Sequence, residues 1–201
     1  MSAAVDALEK RLRALAGDRP RDVAMRAIDS PVGPLVAGAT DAGLVLLEFG
    51  RPERLEPQLE VMGRLFGGGG PAPHPRLDQT EAELAEYFAG TRRDFDVPLV
   101  IRGTEFQERV WHELLRIPYG ETTSYAALAD TLGVRNGQRA VGLANGRNRL
   151  AIIVPCHRVI EKGGGLRGYG GGLDRKRFLL DLERRHTDPL AGTPLGRLAA
   201  G

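Results

Sequence analysis

Cysteine is nearly absent from this chain: 201 residues contain one, Cys156. A single thiol forms no internal disulfide and excludes a cysteine-based metal site, and such scarcity fits a reducing compartment. The four histidines, His74, His112, His157 and His186, are scattered without ligand spacing, so no structural metal is expected. Long apolar runs are missing too. None approaches the ~20 residues that span a bilayer, and the opening "MSAAVDALEKRLRALAG" carries acidic residues without the apolar core of a signal peptide. Together these absences predict a soluble, cytoplasmic protein with no membrane partner. Lysine is scarce as well, three against 25 arginines.

What charge there is falls unevenly. Residues 1–101 hold 12 Lys and Arg against 16 Asp and Glu, a balance of −4, whereas residues 102–186 hold 15 against 9, a balance of +6. The basic half also carries the cysteine. Such a split suggests a polyanionic partner for that half, although a solvated arginine-rich face is the commoner meaning of such a count.

The patterning predicts a mixed α/β (α+β) chain in two parts. Val5, Leu8, Leu12 and Leu15 recur at helical spacing, so a short amphipathic helix precedes the first part. "VAMRAIDS", "GPLVAGAT" and "GLVLLEFG" are β-rich runs separated by turn chemistry, an antiparallel meander. A helix is expected over 53–66, then a glycine- and proline-rich loop, then a helix in "LDQTEAELAEYFAGTRRDF" capped by Asp78 or Thr80 and stopped at Gly90.

After about Val100 the character changes. "TEFQERVWHELLRIPYG" reads as a helix capped by Thr104, with Phe106, Val110, Leu114 and Ile117 on one face. "TTSYAALADTLGV" and "NGQRAVGLANGRN" read as two short helices around a turn at Gly133, a helix-turn-helix. "RLAIIVP" has the length and apolarity of a buried strand, "GGGLRGYGGGL" is a loop, "DRKRFLLDLERRH" is a closing helix, and the end is a loose tail. The expected units are an extension over 1–20, domains over 21–99 and 100–186, and a tail over 187–201.

Cys156 follows that apolar run. Pro155 has no amide hydrogen and biases Val154 towards an extended conformation, so the predicted strand ends there with the thiol at its mouth. In an extended chain neighbouring side chains point to opposite faces, so His157 reaches the thiol only if the chain turns into a helix or a water bridges them. A free cysteine is usually a small buried hydrophobe. A reactive thiol needs a cation, a base or a helix N-terminus nearby. His157, Arg158, the glycine loop and the basic closing helix all follow, which favours reactivity.

"PCHRVI", preceded by "RAVGLANGRNRLAIIV" and followed by "GYGGGLDRKRFLLDLE", resembles the signature of the O6-alkylguanine-DNA alkyltransferases, which repair DNA by direct reversal. The resemblance covers about residues 100–185 with several motifs in order. Upstream, "DSPVGPLVAGATDAGLVLLEF" is similar to the β-meander of the family's ribonuclease-H-like domain, so the fold implied is that domain followed by a mainly helical, winged-helix-like DNA-binding domain. The activity implied is one irreversible transfer of an alkyl group from O6 of guanine to cysteine, with O4-alkylthymine left open. No cofactor is implied; the partner is alkylated duplex DNA, entered from the minor groove by a monomer, with cooperative assembly on DNA left open.

By the same resemblance Cys156 is the acceptor, His157 its base through a water, Glu183 the group that orients the imidazole, and Asn148 the pin of the local hydrogen bonds. Arg139 fills the gap left by the flipped base, and Ala140, Gly142, Ala144 and Gly146 give a slim face for the groove. Tyr125 contacts the target nucleotide, Tyr169 walls the base pocket, the backbone of Val159 and Gly170 reads guanine, and Lys176 lies behind the loop. Two positions depart from the family pattern. Gly137 stands where many relatives have alanine and is expected to weaken its helix by ~1 kcal/mol, and Gly170 stands where some members have serine. A recognition-only relative would lack the cysteine. A helix-turn-helix transcription factor would leave "PCHRVI" and Glu183 idle, and a Cys-His hydrolase would need an oxyanion hole and repeated turnover.

Overall fold

The computed structural model describes residues 3–16 and 21–187. The first helix, α1 (Ala3–Ala16), lays Val5 and Leu8 against the sheet; the expectations at Leu12 and Leu15 fall outside the described side chains. β1 (Arg21–Ile28), β2 (Leu35–Thr40) and β3 (Gly43–Phe49) form the expected antiparallel meander, with Ile28 opposite Leu35 and Leu35 opposite Phe49. α2 (Pro52–Phe66) begins one residue earlier than expected, with proline in its first turn, where the missing amide hydrogen is not needed.

The next segment corrects the sequence reading. Gly68–Pro71 is a strand, β4, parallel to β1, and the sheet order is β3-β2-β1-β4. Glycines carry no side chains, so no period-two pattern exists to announce such a strand. α3 (Pro75–Phe88) starts earlier than Asp78 or Thr80: His74 Nδ1 accepts from Arg76 N at 3.1 Å with Pro75 at the first position, and the Thr80 hydroxyl instead donates back to Arg76 O at 2.7 Å. Gly90, at φ +76°, stops it.

Both faces of the sheet are covered, which is why β3 is buried along its whole length rather than alternating. Val23, Met25, Ala27, Val36, Val45 and Leu46 pack with α1 and α2. Ala24, Ile28, Leu35, Ala37, Leu44 and Leu47 face α3 and the helical half, in one continuous core with Val110, Trp111, Val141 and Leu179. The free edge of β3 is taken by two later segments: Leu44 N donates to Pro98 O at 2.7 Å and Val100 N to Leu44 O at 2.9 Å, while Leu47 exchanges bonds with Arg149 O and Ala151 N at 2.7 and 2.8 Å. The second pairing carries the cysteine segment to the sheet.

In the helical half, α4 (Glu105–Leu114) starts at the expected cap, Thr104, to which the structure adds a reciprocal capping box with Gln107, and it ends before Ile117, the last residue of the expected face. Val110 and Leu114 are buried, and Trp111 Nε1 donates to Ala144 O at 2.9 Å. A short strand, β5 (Thr123–Ser124), leads into α5 (Tyr125–Thr131) and α6 (Gln138–Gly146), the two packed helices of the predicted helix-turn-helix. Gly137 is the N-cap of α6 rather than part of it, so the expected loss of helix propensity does not apply. A Cβ there would lie 2.6 Å from Val134 Cγ1, so glycine is what the turn accommodates.

The predicted strand over 149–155 is absent. Leu150 makes one bridge to β3, and then Ile152 takes φ +73° and Val154 N bonds back to Leu150 O at 2.8 Å. The run is apolar because all of it is buried between the halves, and a short buried turn has the same composition as a short buried strand. After it come a 3₁₀ turn (Cys156–Arg158), β6 (Val159–Ile160) parallel to β5, and α7 (Leu173–Thr187). The expected loose tail lies outside the described residues beyond Thr187. Among the described residues no helix is long and apolar enough to cross a membrane.

Candidate active site

The turns of residues 150–155 and the 3₁₀ turn settle how Cys156 and His157 are presented: the chain does turn helical at this point. Asn148 organises the bend. Its Oδ1 accepts from Leu150 N at 2.9 Å, and its Nδ2 donates to Val154 O at 2.8 Å and to Cys156 Sγ at 3.1 Å. A donor aimed at sulfur favours the thiolate. Burial nevertheless pushes the thiol up, against the opposing pull of Asn148, so the resting group holds its proton.

α7 supplies the other half of the site. Lys176 and Glu183 lie seven residues apart, about two helical turns, and both are fully buried on the face turned to the 3₁₀ turn. Glu183 gathers five donors: His157 Nε2 at 2.8 Å, Arg158 Nε at 2.9 Å and Nη2 at 3.0 Å, Tyr87 Oη at 2.8 Å, and Gly120 N at 3.0 Å. Burial alone would raise its pKa, but the bonds and charges of His157 and Arg158 prevail and hold it well below the usual carboxylate range. An ionised carboxylate only accepts, so His157 Nε2 must carry the hydrogen and Nδ1 the lone pair. Burial keeps this imidazole neutral despite Glu183, and its Nδ1 is buried with no protein partner among the described residues.

Lys176 Nζ donates to Val159 O at 2.6 Å and reaches Arg167 O at 3.4 Å, and lies 5.8 and 6.0 Å from the ring centres of Tyr125 and Tyr169. It thereby ties β6 to the glycine segment. Gly168–Gly171 closes over the thiol, leaving Cys156 only 6 % exposed. Tyr125 Oη contacts Gly168 O at 3.4 Å, and the Tyr169 ring stands edge-on to Phe49 at 5.8 Å. The Tyr169 hydroxyl is buried near Cys156 without a well-formed hydrogen bond. On the outer side of the segment an open cleft of about 800 Å³ is lined by Tyr125, Arg139, Gly142, Leu143, Lys162 and Gly168 among others.

The predicted site residues thus fall into two sets. In the first, Asn148, Tyr169 and Gly170 line the space at Cys156, His157 is bonded to Glu183, and Lys176 is bonded to the carbonyl of Val159. Arg139, Ala140 and Gly142 lie on α6, where Arg139 and Ala140 are exposed, and Tyr125 bridges the two sets. The small-residue face is narrower than expected, because Ala144 is turned into the core. Sequence reasoning missed three partners. Asn145 Nδ2 donates to Cys156 O at 3.2 Å, Arg158 is the counter-charge of Glu183, and Tyr87 reaches Glu183 from 96 positions upstream. The first two sit inside the motif-bearing stretches, but nothing in the sequence marks Tyr87.

The chain is similar to known proteins along most of its length. The model of the 6-O-methylguanine DNA methyltransferase DNA binding domain matches residues 105–185, and that of the same family's ribonuclease-like domain matches residues 23–101. A methylated-DNA–protein-cysteine methyltransferase of Mycobacterium bovis is 50% identical over 159 residues, 79% of this chain and 91% of that protein. The crystal structure of the Mycobacterium tuberculosis O6-methylguanine methyltransferase superposes with a TM-score of 0.72 at 45% identity, covering 88% of this chain and 99% of that one. The M. tuberculosis OGT in complex with DNA superposes at 0.71 and 47% identity, covering 82% and 94%. With both family models spanning most of its length around a buried, asparagine-bonded thiol, the chain belongs to the 6-O-methylguanine DNA methyltransferase family.

Proposed function

We propose that this protein repairs O6-alkylguanine in DNA by moving the alkyl group, once and irreversibly, to Cys156. The observation that carries the reading is the buried thiol held 3.1 Å from Asn148 Nδ2 and followed directly by a buried histidine whose other nitrogen is fixed on Glu183. The thiol proton leaves towards His157 Nδ1 through a bridging water, and the donor on Asn148 steadies the thiolate that remains. Sulfur attacks the alkyl carbon; the S–C bond forms as the C–O6 bond breaks. Guanine leaves with the electron pair and takes up a proton, so the thiol's proton is replaced on the base. Thiolate is a strong, soft nucleophile, and the thioether product is not reversed by water. One protein therefore repairs one lesion.

Because Cys156 is buried, the damaged base must leave the duplex and the glycine segment must yield to it. In this reading α6 enters the minor groove, ~6 Å wide, with Ala140 and Gly142 at its contact face and Arg139 filling the vacated stack. Tyr125 contacts the target nucleotide, Tyr169 walls the pocket, and the backbone at Val159 and Gly170 faces guanine. Lys176 already occupies the Val159 carbonyl, so one lone pair is left there for the base. The chain acts as a monomer of two domains meeting near residue 100, a division supported by two family models that abut between residues 101 and 105.

The test is intact-protein mass spectrometry after mixing with a duplex holding one O6-methylguanine, followed by peptide mapping. One added methyl group on Cys156, stopping at one equivalent and absent in Cys156→Ala, is expected. Methylation of the Cys156→Ala protein would overturn the nucleophile assignment.

A further inference from the structure

The thiol pocket is walled on one side by the other half of the molecule. Glu48 and Phe49, at the end of β3, and Arg54, in the first turns of α2, line the same small space as Cys156, Asn148 and the 168–171 segment. Glu48 is fully buried, and its carboxylate accepts from Phe49 N and from Arg54 Nη2, both at 2.8 Å. Arg54 also donates from Nη1 to Gly146 O at 3.0 Å, at the end of α6. One guanidinium thus joins the sheet, the end of the helix-turn-helix and the wall of the thiol pocket.

The glycine segment lies against Arg54 and Phe49. A Cβ at Gly170 would lie 2.5 Å from Arg54 Cζ, and one at Gly171 would lie 2.4 Å from Phe49 Cε2. Arg175 reinforces the closure, donating to Gly171 O at 2.9 Å and to Val32 O at 2.6 Å. The space left beside sulfur has about 10 Å³ open to the centre of a water-sized sphere. That is roughly room for one water or one methyl group. A phenyl ring does not fit unless the segment or the guanidinium moves.

We propose that the Glu48–Arg54 pair sets the size of alkyl group the thiol accepts, by fixing, from the amino-terminal half, the pocket wall against which residues 168–171 close. The proposal rests on the reading of Cys156 as alkyl acceptor. Methyl transfer needs only that the segment open for the base and settle again around a small group. A benzyl group also needs the pocket wall to stay displaced during transfer, and there the charge-assisted bond resists. Glu48 and Arg54 are specificity-determining residues in this scheme: neither donates nor accepts a proton in the reaction. It also gives a reason for glycine at position 170, since a serine there would press directly on the guanidinium.

The experiment compares single-turnover rates on two duplexes identical except for O6-methylguanine or O6-benzylguanine, for wild type, Glu48→Gln/Arg54→Met and Gly170→Ala. The double variant leaves no unpaired buried charge, and Gly170→Ala keeps the pair but pushes the guanidinium aside. Thermal melting checks that each is folded. The ratio of benzyl to methyl rates, taken within one protein, cancels any loss of active material. A rise of about tenfold in that ratio is expected for the double variant, the scale of one charge-assisted bond, with a smaller rise for Gly170→Ala. An unchanged or lower ratio in folded variants overturns the proposal. Wild-type protein that transfers neither group would instead overturn the proposed function.

Discussion

Replacing Glu183 by glutamine probes the centre of the site at nearly constant shape. The carboxylate receives five donors from α3, the 3₁₀ turn and the loop at Gly120, and Arg158, almost fully buried, has it as counter-charge. Glutamine offers one carbonyl oxygen and turns an amino group towards the remaining donors. Breaking a buried ion pair from one side costs about 3–5 kcal/mol. For a chain of this size each kcal/mol shifts the melting temperature by about 2–4 °C, so the variant should melt roughly 6–20 °C lower. The rate should fall as well, because His157 loses the acceptor that fixes its tautomer; loss of a positioned base is worth about 10²–10⁴-fold. Tyr87→Phe is the matched control, removing one donor and leaving the charge pair, with an expected loss of about 1–2 kcal/mol. Differential scanning calorimetry and quenched single-turnover transfer on the same preparations read both quantities. Glu183→Gln protein that melts within about 2 °C of wild type and transfers within threefold of it would refute the role of the Glu183 carboxylate as shared anchor of His157 and Arg158.

Two further outcomes follow from the same geometry. Arg139→Ala, at an exposed residue on the cleft, should weaken binding to an O6-methylguanine duplex by about 1–3 kcal/mol in fluorescence anisotropy; unchanged affinity would remove Arg139 from the DNA face. Stability should fall on acidification. Burial lowers the His157 pKa in the native state, so below ~6.5 the unfolded chain binds a proton that the native one refuses. Glu183, held low in the native state, adds stability that is present above ~4.3 and is lost as pH falls towards its lowered native value. Melting temperature measured from pH 8 to pH 4 should be level at first and then decline; a level or rising curve between pH 7 and pH 5 would contradict the burial of neutral His157.

Much was legible in the residues alone. The meander, α4 with its Thr104 cap, the two helices around Gly133 and the closing helix all declare themselves, because hydrophobic period and capping chemistry are local properties. "PCHRVI" singled out the thiol and its histidine for the same reason: the residues that matter are adjacent. Where the signal was not local, the reading failed. The glycine strand β4 has no side chains to pattern, α3 begins at a histidine cap that propensity does not favour, and the run before Cys156 is apolar through burial between halves rather than through membership of a sheet.

By itself, then, the sequence determined the class of fold, the lone cysteine with its histidine neighbour and the helices of the basic half, since each follows from neighbours within a few turns of chain. Only the tertiary structure decided how the thiol is governed. Tyr87 on Glu183, Arg158 between Glu183 and Ile117, and Glu48 with Arg54 behind the pocket join positions up to 96 residues apart. Such contacts arise because a buried charge must find partners wherever the packed chain places them. Sequence spacing carries no record of that requirement.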